Sequence, residues 1–503
     1  MCRILFGNLP VLAMAVILSL LATLDAAVAA AARKPNVVFF LADDLGYGDL
    51  GSFGQEKIRT PHLDRMAAEG MRLTQHYSGN AVCAPSRCVL MTGKHPGHAF
   101  IRNNRSVKPE GQYPIPADTI TLARLLDEQG YATGGFGKWG LGPPRSHAAP
   151  TRQGFDRFYG YICQGVAHNY YPTYLWSDED RVELDNPAFS AQQRLSPDDD
   201  PSDPASYRRF SGQDYAPDLI GQQALEFVRR HQDEPFFLYV PTTVPHLALQ
   251  VPDDSVAEYR GAFPEEPYTG DRRYLPHREP RAAYAAMITR MDRDMGRIIE
   301  LVKKLGLDED TIFVFSSDNG PLYDALGGTD TEFFASAGEL RGRKGSLYEG
   351  GIRVPTIVRW KGHIAPDSTS DRVSGFEDWL PTIMELVGAE SVIPPEIDGI
   401  SMAPTLLGES QPPRPFLYRE FPAYGGQQCV RLGDWKGVRQ NLKPRQNGAE
   451  PDLTIELYNL AEDVGETRNV AAEHPEIVAQ IEKIMRQQHT PSAEFAFPAL
   501  DEL

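Results

Sequence analysis

The chain contains few cysteines, no net positive charge and no long apolar run outside its first residues. Five cysteines in 503 residues are too few and too scattered for a disulfide framework, so the fold must depend on a large buried core. A net charge of −18 argues against a nucleic-acid partner, because nothing in the chain resembles a broad basic face. By length the chain is expected to form one large domain with an appendage, or two to three domains.

The N-terminal region is predicted to be a secretory signal peptide covering residues 1–31. Arg3 precedes an almost wholly apolar run from Val11 to Leu24, and alanine-rich sequence follows. The alternative is an uncleaved membrane anchor, but the run is shorter than the roughly 20 residues that a spanning helix needs. The mature protein is therefore expected to be exported, periplasmic or secreted, without stable membrane insertion.

Continuous apolar runs alternate with amphipathic segments along residues 32–390, which are predicted to form the catalytic domain. NVVFFLA from Asn36 and TIFVFSS from Thr311 are typical of central strands covered on both faces. Apolar residues at helical spacing from Ala282 to Leu305 are typical of a covering helix. This alternation predicts an α/β fold, a large and mostly parallel sheet sandwiched by helices. Residues 391–503 have proline-rich turns and short alternating segments, which predict a smaller C-terminal α+β subdomain with an antiparallel sheet.

Acidic and amide side chains directly follow two of the predicted strands. Asp43 and Asp44 come after the first run, and Asp318 and Asn319 come after the other. Ligands gather at the carboxyl ends of strands in open α/β sheets. Three carboxylates and one amide would form an all-oxygen site for a hard divalent cation, calcium first and magnesium second. Taken alone, each pair could equally cap a turn, where Asp, Asn and Gly are common.

The stretch CAPSR from Cys83 is the most specific local signal in the chain. Pro85 suits the first position of a helix, which predicts Cys83 just before a helix N-terminus, where backbone N–H groups favour an anion. Arg87 would add a fixed positive charge. An unmodified thiolate there would resemble a cysteine nucleophile, but a Cys–His hydrolase leaves the oxygen-rich metal cluster unexplained.

Motifs along nearly the whole mature chain carry a family resemblance. Cys-x-Pro-Ser-Arg followed by Leu and Thr-Gly resembles the signature of the type I sulfatases, in which a maturation enzyme oxidises that cysteine to formylglycine. The further matching motifs are FFLADDLGYGDLGSFG from Phe39, GKWGLG from Gly137, FFLYVPTTVPH from Phe236, SSDNG from Ser316, GRKGSLYEGGIRVP from Gly342 and ELYNLAEDVGETRNVA from Glu456.

The resemblance implies a calcium-dependent hydrolase of sulfate esters. It implies a metal site whose ligands are Asp43, Asp44, Asp318 and Asn319. It implies a nucleophile derived from Cys83 and a set of sulfate-facing cations, namely Arg87, Lys138, His246 and Lys344. A sulfate monoester is anionic at physiological pH, so such cations are needed where charge builds on the leaving oxygen. His246 and Lys344 could also donate a proton or hydrogen bond to the departing alkoxide.

In the mechanism that the resemblance implies, the aldehyde is hydrated to a geminal diol. One hydroxyl, activated by calcium and Asp318, attacks sulfur and releases the alcohol. The second hydroxyl then loses a proton, sulfate is expelled and the aldehyde is restored.

Two rival functions fit the same motifs. A phosphonate or phosphate ester hydrolase of the same superfamily could use the same modified cysteine, because sulfate and phosphate are similar in size and geometry. A non-catalytic protein that binds sulfated glycans could use a retired sulfatase scaffold, although retention of Cys83, Arg87 and the metal ligands favours an enzyme.

One position departs from the family pattern. The family reads Gly-Lys-Trp-His-Leu-Gly, and its histidine contacts the formylglycine hydroxyl and helps to remove its proton, but this chain has Gly140 there. His168 is predicted as the replacement base, because an imidazole has a pKa near the working pH. His147 and His95 are weaker alternatives, and His168 could equally bind substrate or support its loop.

The predicted substrate is a sulfated carbohydrate, with aryl sulfates as artificial substrates. The aromatic segment from Ala167 to Trp176 either rims the pocket, where rings could stack on a sugar, or packs into the core. The acidic stretch from Ser177 to Asp203 is predicted to be a solvated insertion without a chemical role.

Overall fold

The computed structural model describes residues 33–443 and 449–502. The predicted signal peptide, residues 1–31, lies outside the described residues. In the described part of the chain, no helix combines the length and the apolar character that crossing a bilayer requires.

Strands and helices alternate through most of the chain. The described strands are β1 (Asn36–Asp43), β2 (Met71–Leu73), β3 (His76–Tyr77), β4 (Ala132–Lys138), β5 (Arg157–Tyr161), β6 (Tyr174–Ser177), β7 (Asp180–Glu183), β8 (Phe236–Pro245), β9 (Thr311–Ser317), β10 (Thr356–Trp360), β11 (Ser368–Ser370), β12 (Ser374–Gly375), β13 (Leu417–Phe421), β14 (Gln427–Leu432), β15 (Trp435–Arg439) and β16 (Glu456–Asn459). The described α-helices are α1 (Pro61–Ala68), α2 (Cys83–Thr92), α3 (Leu122–Glu128), α4 (Ala216–Arg230), α5 (Asp253–Ala257), α6 (Pro280–Lys304), α7 (Glu349–Ile352), α8 (Trp379–Leu386), α9 (Ala403–Leu406), α10 (Pro475–Gln488) and α11 (Pro498–Asp501).

A ten-stranded mixed sheet forms the centre of the molecule. Its strand order is β11-β2-β10-β9-β1-β8-β4-β5-β6-β7. The five central strands β9, β1, β8, β4 and β5 are mutually parallel, so their carboxyl ends share one edge. Antiparallel pairs occur toward the two margins, where β10 joins β9 and the β6–β7 hairpin follows β5.

Both faces of this sheet are covered, as the apolar runs predict. Along β1, Val38 and Phe40 belong to one hydrophobic core, while Val37 and Phe39 belong to the other. Alternate side chains of a strand point to opposite faces, so a strand buried on both faces is apolar throughout. Helix α6 packs into the first core, and α2 and α8 pack into the second. The prediction of a large and mostly parallel sheet sandwiched by helices is therefore confirmed.

The glycine-rich strand β4 was not predicted as a strand. Its sequence ATGGFGK has little of the β-branched and aromatic character that favours strands. At Gly137 a Cβ atom would lie 1.9 Å from the carbonyl oxygen of Pro241, so the close approach of β8 leaves no room for a side chain. Packing therefore requires glycine in β4, whereas strand propensity alone would predict a loop there.

The C-terminal part contains a second, four-stranded antiparallel sheet in the order β13-β14-β15-β16. Helix α10 packs against it through Ile481 and Met485, which share a hydrophobic core with Tyr418 and Val430. The predicted antiparallel sheet is confirmed. The boundary at residue 390 stays a prediction.

Candidate active site

The carboxyl ends of four parallel strands bring most of the predicted site residues together. Asp43 ends β1 and Lys138 ends β4, while His246 directly follows β8 and Asp318 directly follows β9. Since these four strands are adjacent and parallel, their ends meet at the same edge of the sheet. The side chains of all four residues are buried.

Cys83 reaches this edge from the first turn of α2. The helix begins at Cys83 itself, so Pro85 occupies the third helical position instead of the first, which corrects the prediction. Proline is tolerated there because the first backbone N–H groups of a helix have no partner within it. The first helical bond runs from the N–H of Ser86 to the carbonyl oxygen of Val82.

Three cations surround Cys83 and pair with the carboxylates. The ammonium of Lys138 lies 2.6 Å from Oδ2 of Asp43, and the ammonium of Lys344 lies 3.3 Å from the Cys83 sulfur. Lys344 also donates to Asp44 at 2.8 Å.

The third cation, Arg87, is fixed between the strand ends. It donates through Nε and a terminal nitrogen to Oδ2 of Asp318, at 3.0 and 2.9 Å. Its other terminal nitrogen donates to the backbone carbonyl of Lys138. The guanidinium therefore has a defined orientation before any ligand binds.

Burial and neighbouring charges act in opposite directions on the three aspartates. Burial raises the pKa of Asp43, but Lys138, His246, Arg87 and Lys344 outweigh it and hold that pKa below its usual range. For Asp44 and Asp318, burial is the largest effect and raises the pKa, and neighbouring carboxylates raise it further. The pKa of Asp318 is raised to about 6. A divalent cation beside these groups would favour their ionised forms.

Three of the four predicted metal ligands are joined by hydrogen bonds through Asp44. Its backbone N–H donates to Oδ1 of Asp318 at 3.2 Å, and its side chain accepts from Nδ2 of Asn319 at 2.8 Å. Oδ1 of Asn319 is buried and has no hydrogen-bond partner among the described residues. An acceptor oxygen left free beside three carboxylates suits a hard cation, so the residues present fit calcium.

His246 and Cys83 also adjoin the carboxylates. Within the described residues, one ligand atom each from Asp43, Asp44, Cys83 and His246 lie within 4.8 Å of one another. Nε2 of His246 is 3.5 Å from Oδ2 of Asp44, while its Nδ1 lies 2.7 Å from the carbonyl oxygen of Leu247. Burial, followed by the effect of Lys344, lowers the pKa of His246 to about 3.

The Cys83 thiol is poorly suited to act as a nucleophile in unmodified form. Burial raises its pKa to about 12, despite the opposing effect of Lys138 and Lys344. A thiol with such a pKa is protonated at neutral pH, whereas reactive cysteines have lowered pKa values. The four cysteines from Cys83 onward are all buried and free of disulfides.

His168 lies beside His246. Its ring stacks on that of His246, with centroids 4.8 Å apart and planes at 5°. Burial, His246 and the two lysines of the site lower the pKa of His168 to about 2. This differs from the expectation of a pKa near the working pH, because the ring is packed among other positive or potentially positive groups.

The alternative histidines are engaged elsewhere. His147 lies 3.1 Å from the carbonyl oxygen of Ile115. His95 stacks on His98, and its Nε2 lies 3.0 Å from the side-chain oxygen of Gln488. Neither is bonded to a residue of the site. Of these three histidines, His168 is therefore the one that lies next to the site.

The aromatic segment is mostly core packing, the second of the two alternatives. Tyr170, Tyr171 and Trp176 are buried. The hydroxyl of Tyr170 donates to the carbonyl oxygen of His246 at 2.6 Å, so it supports the loop that carries this histidine.

Sequence reasoning missed two residues beside the site, Tyr274 and Gln164. The ring of Tyr274 meets those of His168 and His246 edge-on, with centroids 5.4 and 6.2 Å away. Arg273 and Tyr274 have φ values of 66° and 62°, a conformation that costs non-glycine residues about 1–3 kcal/mol each. No motif marks Tyr274 in the sequence, and the strained turn is visible only in the structure.

Comparisons with known proteins agree with this architecture. Residues 35–389 match the family model named Sulfatase, and residues 343–491 match the model named N-sulphoglucosamine sulphohydrolase, C-terminal. Arylsulfatase A of Homo sapiens is 34% identical over 501 residues, covering 93% of this chain and 90% of its own. N-acetylgalactosamine-6-O-sulfatase of Bacteroides thetaiotaomicron is 28% identical over 509 residues, covering 91% and 94%.

A solved structure shares the fold. The crystal structure of Ps i-CgsB in complex with k-i-k-neocarrahexaose superposes with a TM-score of 0.74 at 26% identity, covering 90% of this chain and 92% of the other. The match to the Sulfatase model extends over more than half of the chain, and arylsulfatase A matches over nearly all of it. The chain therefore belongs to the sulfatase family and is a sulfuric ester hydrolase.

Proposed function

We propose that this enzyme hydrolyses sulfate monoesters of carbohydrates at the centre around Cys83, using a formylglycine derived from Cys83 and a bound calcium ion. The observation that carries the proposal is the convergence of Lys138, Lys344 and Arg87 with buried carboxylates on one cysteine. Such a cluster in a protein of net charge −18 creates a local site for an anion.

The proposed metal site consists of Asp43, Asp44, Asp318 and Asn319. Calcium bound there would neutralise the carboxylates and stabilise negative charge on the reacting oxygens. The free Oδ1 of Asn319 supports this assignment, and magnesium is the second choice.

Formylglycine would supply an oxygen nucleophile in place of the thiol of Cys83. The high pKa of that thiol supports the proposal, because the unmodified side chain would stay protonated. A formylglycine-generating maturation enzyme is then a required partner. Export is proposed separately, from the predicted signal peptide.

The surrounding side chains would have two tasks, to bind the sulfate group and to donate to the leaving oxygen. Arg87 is held by Asp318 and Lys138 is held by Asp43, so both charges are fixed before substrate binds. Preorganised charges of this kind stabilise a transition state without reorganisation. Lys344 lies at the Cys83 sulfur and keeps its proton, since nearby carboxylates outweigh burial and raise its pKa. Lys344 is therefore suited to donate a hydrogen bond to the leaving oxygen, with His246 beside it.

A sulfated glycan is the substrate class that the relatives favour. One relative is named N-acetylgalactosamine-6-O-sulfatase, and one solved neighbour is a complex with k-i-k-neocarrahexaose. Tyr274 is partly exposed beside His168 and could lie against a sugar ring.

Two measurements test the proposal. Sulfate release should be measured across sulfated mono- and oligosaccharides, and compared with phosphate release from phosphate esters of the same alcohols. The peptide containing Cys83 should be analysed by mass spectrometry in protein from a host that has the maturation enzyme. We expect faster sulfate release and a mass that corresponds to formylglycine. Faster phosphate release would favour the phosphate ester hydrolase instead.

A further inference from the structure

Gly140 leaves a space beside the site, and the side chain of Gln164 fills it. A Cβ atom built on Gly140 would lie 2.9 Å from Nε2 of Gln164, with Cγ and Cδ of the same side chain next at 3.5 and 3.6 Å. Gly140 has a φ of +81°, a conformation that disfavours any other residue. The carboxamide of Gln164 therefore lies where a side chain at position 140 would begin.

The carboxamide nitrogen of Gln164 lacks an acceptor. The side chain is buried, with 6% of the residue exposed, and Nε2 makes no hydrogen bond within the part of the chain that the structure describes. Buried amide N–H groups in folded proteins almost always have a partner. An orphan donor in a binding region points to an acceptor supplied by a ligand.

The loop that carries Gln164 runs along the catalytic edge of the sheet. It follows β5, whose end is bound to the chain of Gly140 through the Trp139 N–H and the Tyr161 carbonyl oxygen at 2.9 Å. The same loop continues to His168, which stacks on His246. Gln164 thus lies in the loop that connects the end of β5 to His168, with its side chain against Gly140, two residues after Lys138.

We propose that Nε2 of Gln164 donates a hydrogen bond to a sulfate oxygen of the substrate, which makes Gln164 a positioning residue for the anion. The inference rests on the proposed function. An amide side chain cannot accept a proton at neutral pH, so Gln164 provides binding only, and proton transfer is left to a group such as His168. A hydrogen bond to an anionic oxygen is stronger than one between neutral groups, which explains how one amide contributes to affinity.

The test uses inorganic sulfate as a competitive inhibitor, together with steady-state kinetics on one sulfate ester. Gln164→Met keeps the shape of the side chain and removes the donor, while Gln164→Glu replaces the donor with a negative charge. Gln222→Met, on the exposed face of α4, is the matched control. We expect Gln164→Met to raise the inhibition constant of sulfate and KM by about 10-fold to 100-fold, with a smaller change in kcat and an unchanged Tm. Gln164→Glu should raise both further, and the control should resemble wild type.

Several results would overturn the inference. An unchanged inhibition constant in a folded Gln164→Met variant would show that no sulfate oxygen accepts from this amide. A fall in kcat alone would place the contact on the modified Cys83, and a fall in Tm alone would make Gln164 structural. If wild type releases sulfate from no ester, the proposed function fails; calorimetric binding of inorganic sulfate to wild type and Gln164→Met then tests the inference independently.

Discussion

The centre around Cys83 and a cluster around Glu377 are both buried and both built from carboxylates and cations. In this second group, called here the ion-pair cluster, Arg419 donates to both oxygens of Glu377, at 3.0 and 2.8 Å. Arg414 pairs with Glu377 at 2.8 Å and with Asp378 at 2.6 Å. Every carboxylate oxygen and guanidinium nitrogen of these four side chains has a hydrogen-bond partner.

The difference lies in what completes each group. The ion-pair cluster contains two carboxylates and two guanidinium groups that satisfy one another, and it joins β13 to the start of α8. The centre around Cys83 contains an acceptor without a partner, Oδ1 of Asn319, and directs Lys344 at a sulfur atom. Buried charged groups that pair with one another stabilise contacts between segments. A buried charged group of residues that also holds an unpaired polar atom is suited to binding an ion.

The largest effect is expected for Cys83→Ala. If the centre is catalytic, kcat should fall by about 10⁴-fold to 10⁶-fold with an unchanged Tm, because removal of a nucleophile abolishes the covalent route. Cys88→Ala, five residues later in α2, is the control and should keep its activity. A fully active wild-type protein with an intact Cys83 thiol would contradict the formylglycine mechanism.

The second prediction separates the two groups by metal content. Asp318→Ala should lose the bound metal and about 10³-fold or more of activity, since Asp318 is a proposed ligand and also holds Arg87. Asp378→Ala removes a buried carboxylate from the ion-pair cluster and should keep the metal. Elemental analysis of both purified variants checks this. Stoichiometric zinc held by His246 and Cys83 would refute the calcium assignment.

The third prediction compares a variant that should lose activity with a variant that should lose stability. Lys138→Met should lower kcat by about 10²-fold to 10³-fold, because it removes a preorganised positive charge. Arg419→Met should lower the free energy of unfolding by about 3–5 kcal/mol, because Glu377 would stay buried with only Arg414 beside it. Urea unfolding and steady-state kinetics on both variants check the contrast. Equal losses of stability in both would remove the distinction between the groups.

The fourth prediction concerns His168. If it replaces the family histidine, His168→Ala should slow turnover by about 10²-fold and let a sulfated enzyme accumulate after a burst of alcohol release. The mass of the Cys83 peptide would then increase. Burial lowers the pKa of His168 to about 2, so the ring is neutral at working pH but is a weaker base than an ordinary imidazole, which argues against this role. Unchanged turnover without a trapped species would reject this role and leave water or a neighbouring lysine.

The smallest effect is expected in the pH dependence of stability. Burial alone raises the pKa of Glu377, but Arg419 and Arg414 outweigh it and lower the pKa from 4.5 to about 2. A carboxylate with a lowered pKa stabilises the fold above its unfolded pKa, and this contribution is lost as pH falls from about 4.5 toward 2. Unfolding free energies of Glu377→Gln should therefore fall less steeply than those of wild type over this range. Identical slopes of unfolding free energy against pH in wild type and Glu377→Gln would contradict a lowered pKa of Glu377.

Much of the fold was predictable because its signals are local. The runs that form β1 and β9 are apolar throughout, and both ends fall within one residue of the prediction. Strand β4 was missed because its glycines are required by the close approach of β8, which no local pattern reveals.

The site residues were predictable for a different reason. Asp43, Cys83, Lys138 and His246 each lie within a motif that resembles the family, so their convergence could be expected before the structure was known. Tyr274 and Gln164 lie outside such motifs. Their position beside the site follows from the path of two loops, and nothing in their sequence neighbourhood indicates it.

The sequence by itself determined the family, the kinds of side chain at the centre and the alternation of strands and helices, because these follow from residue identity and local order. Only the tertiary structure decided how Arg87 pairs with Asp318, 231 residues away, and how Arg419 pairs with Glu377. It also decided that Gln164 fills the space at Gly140 and that burial shifts the pKa values of Cys83 and His168. Pairing and desolvation depend on distances between segments that are remote in sequence, and those distances exist only after the chain has folded.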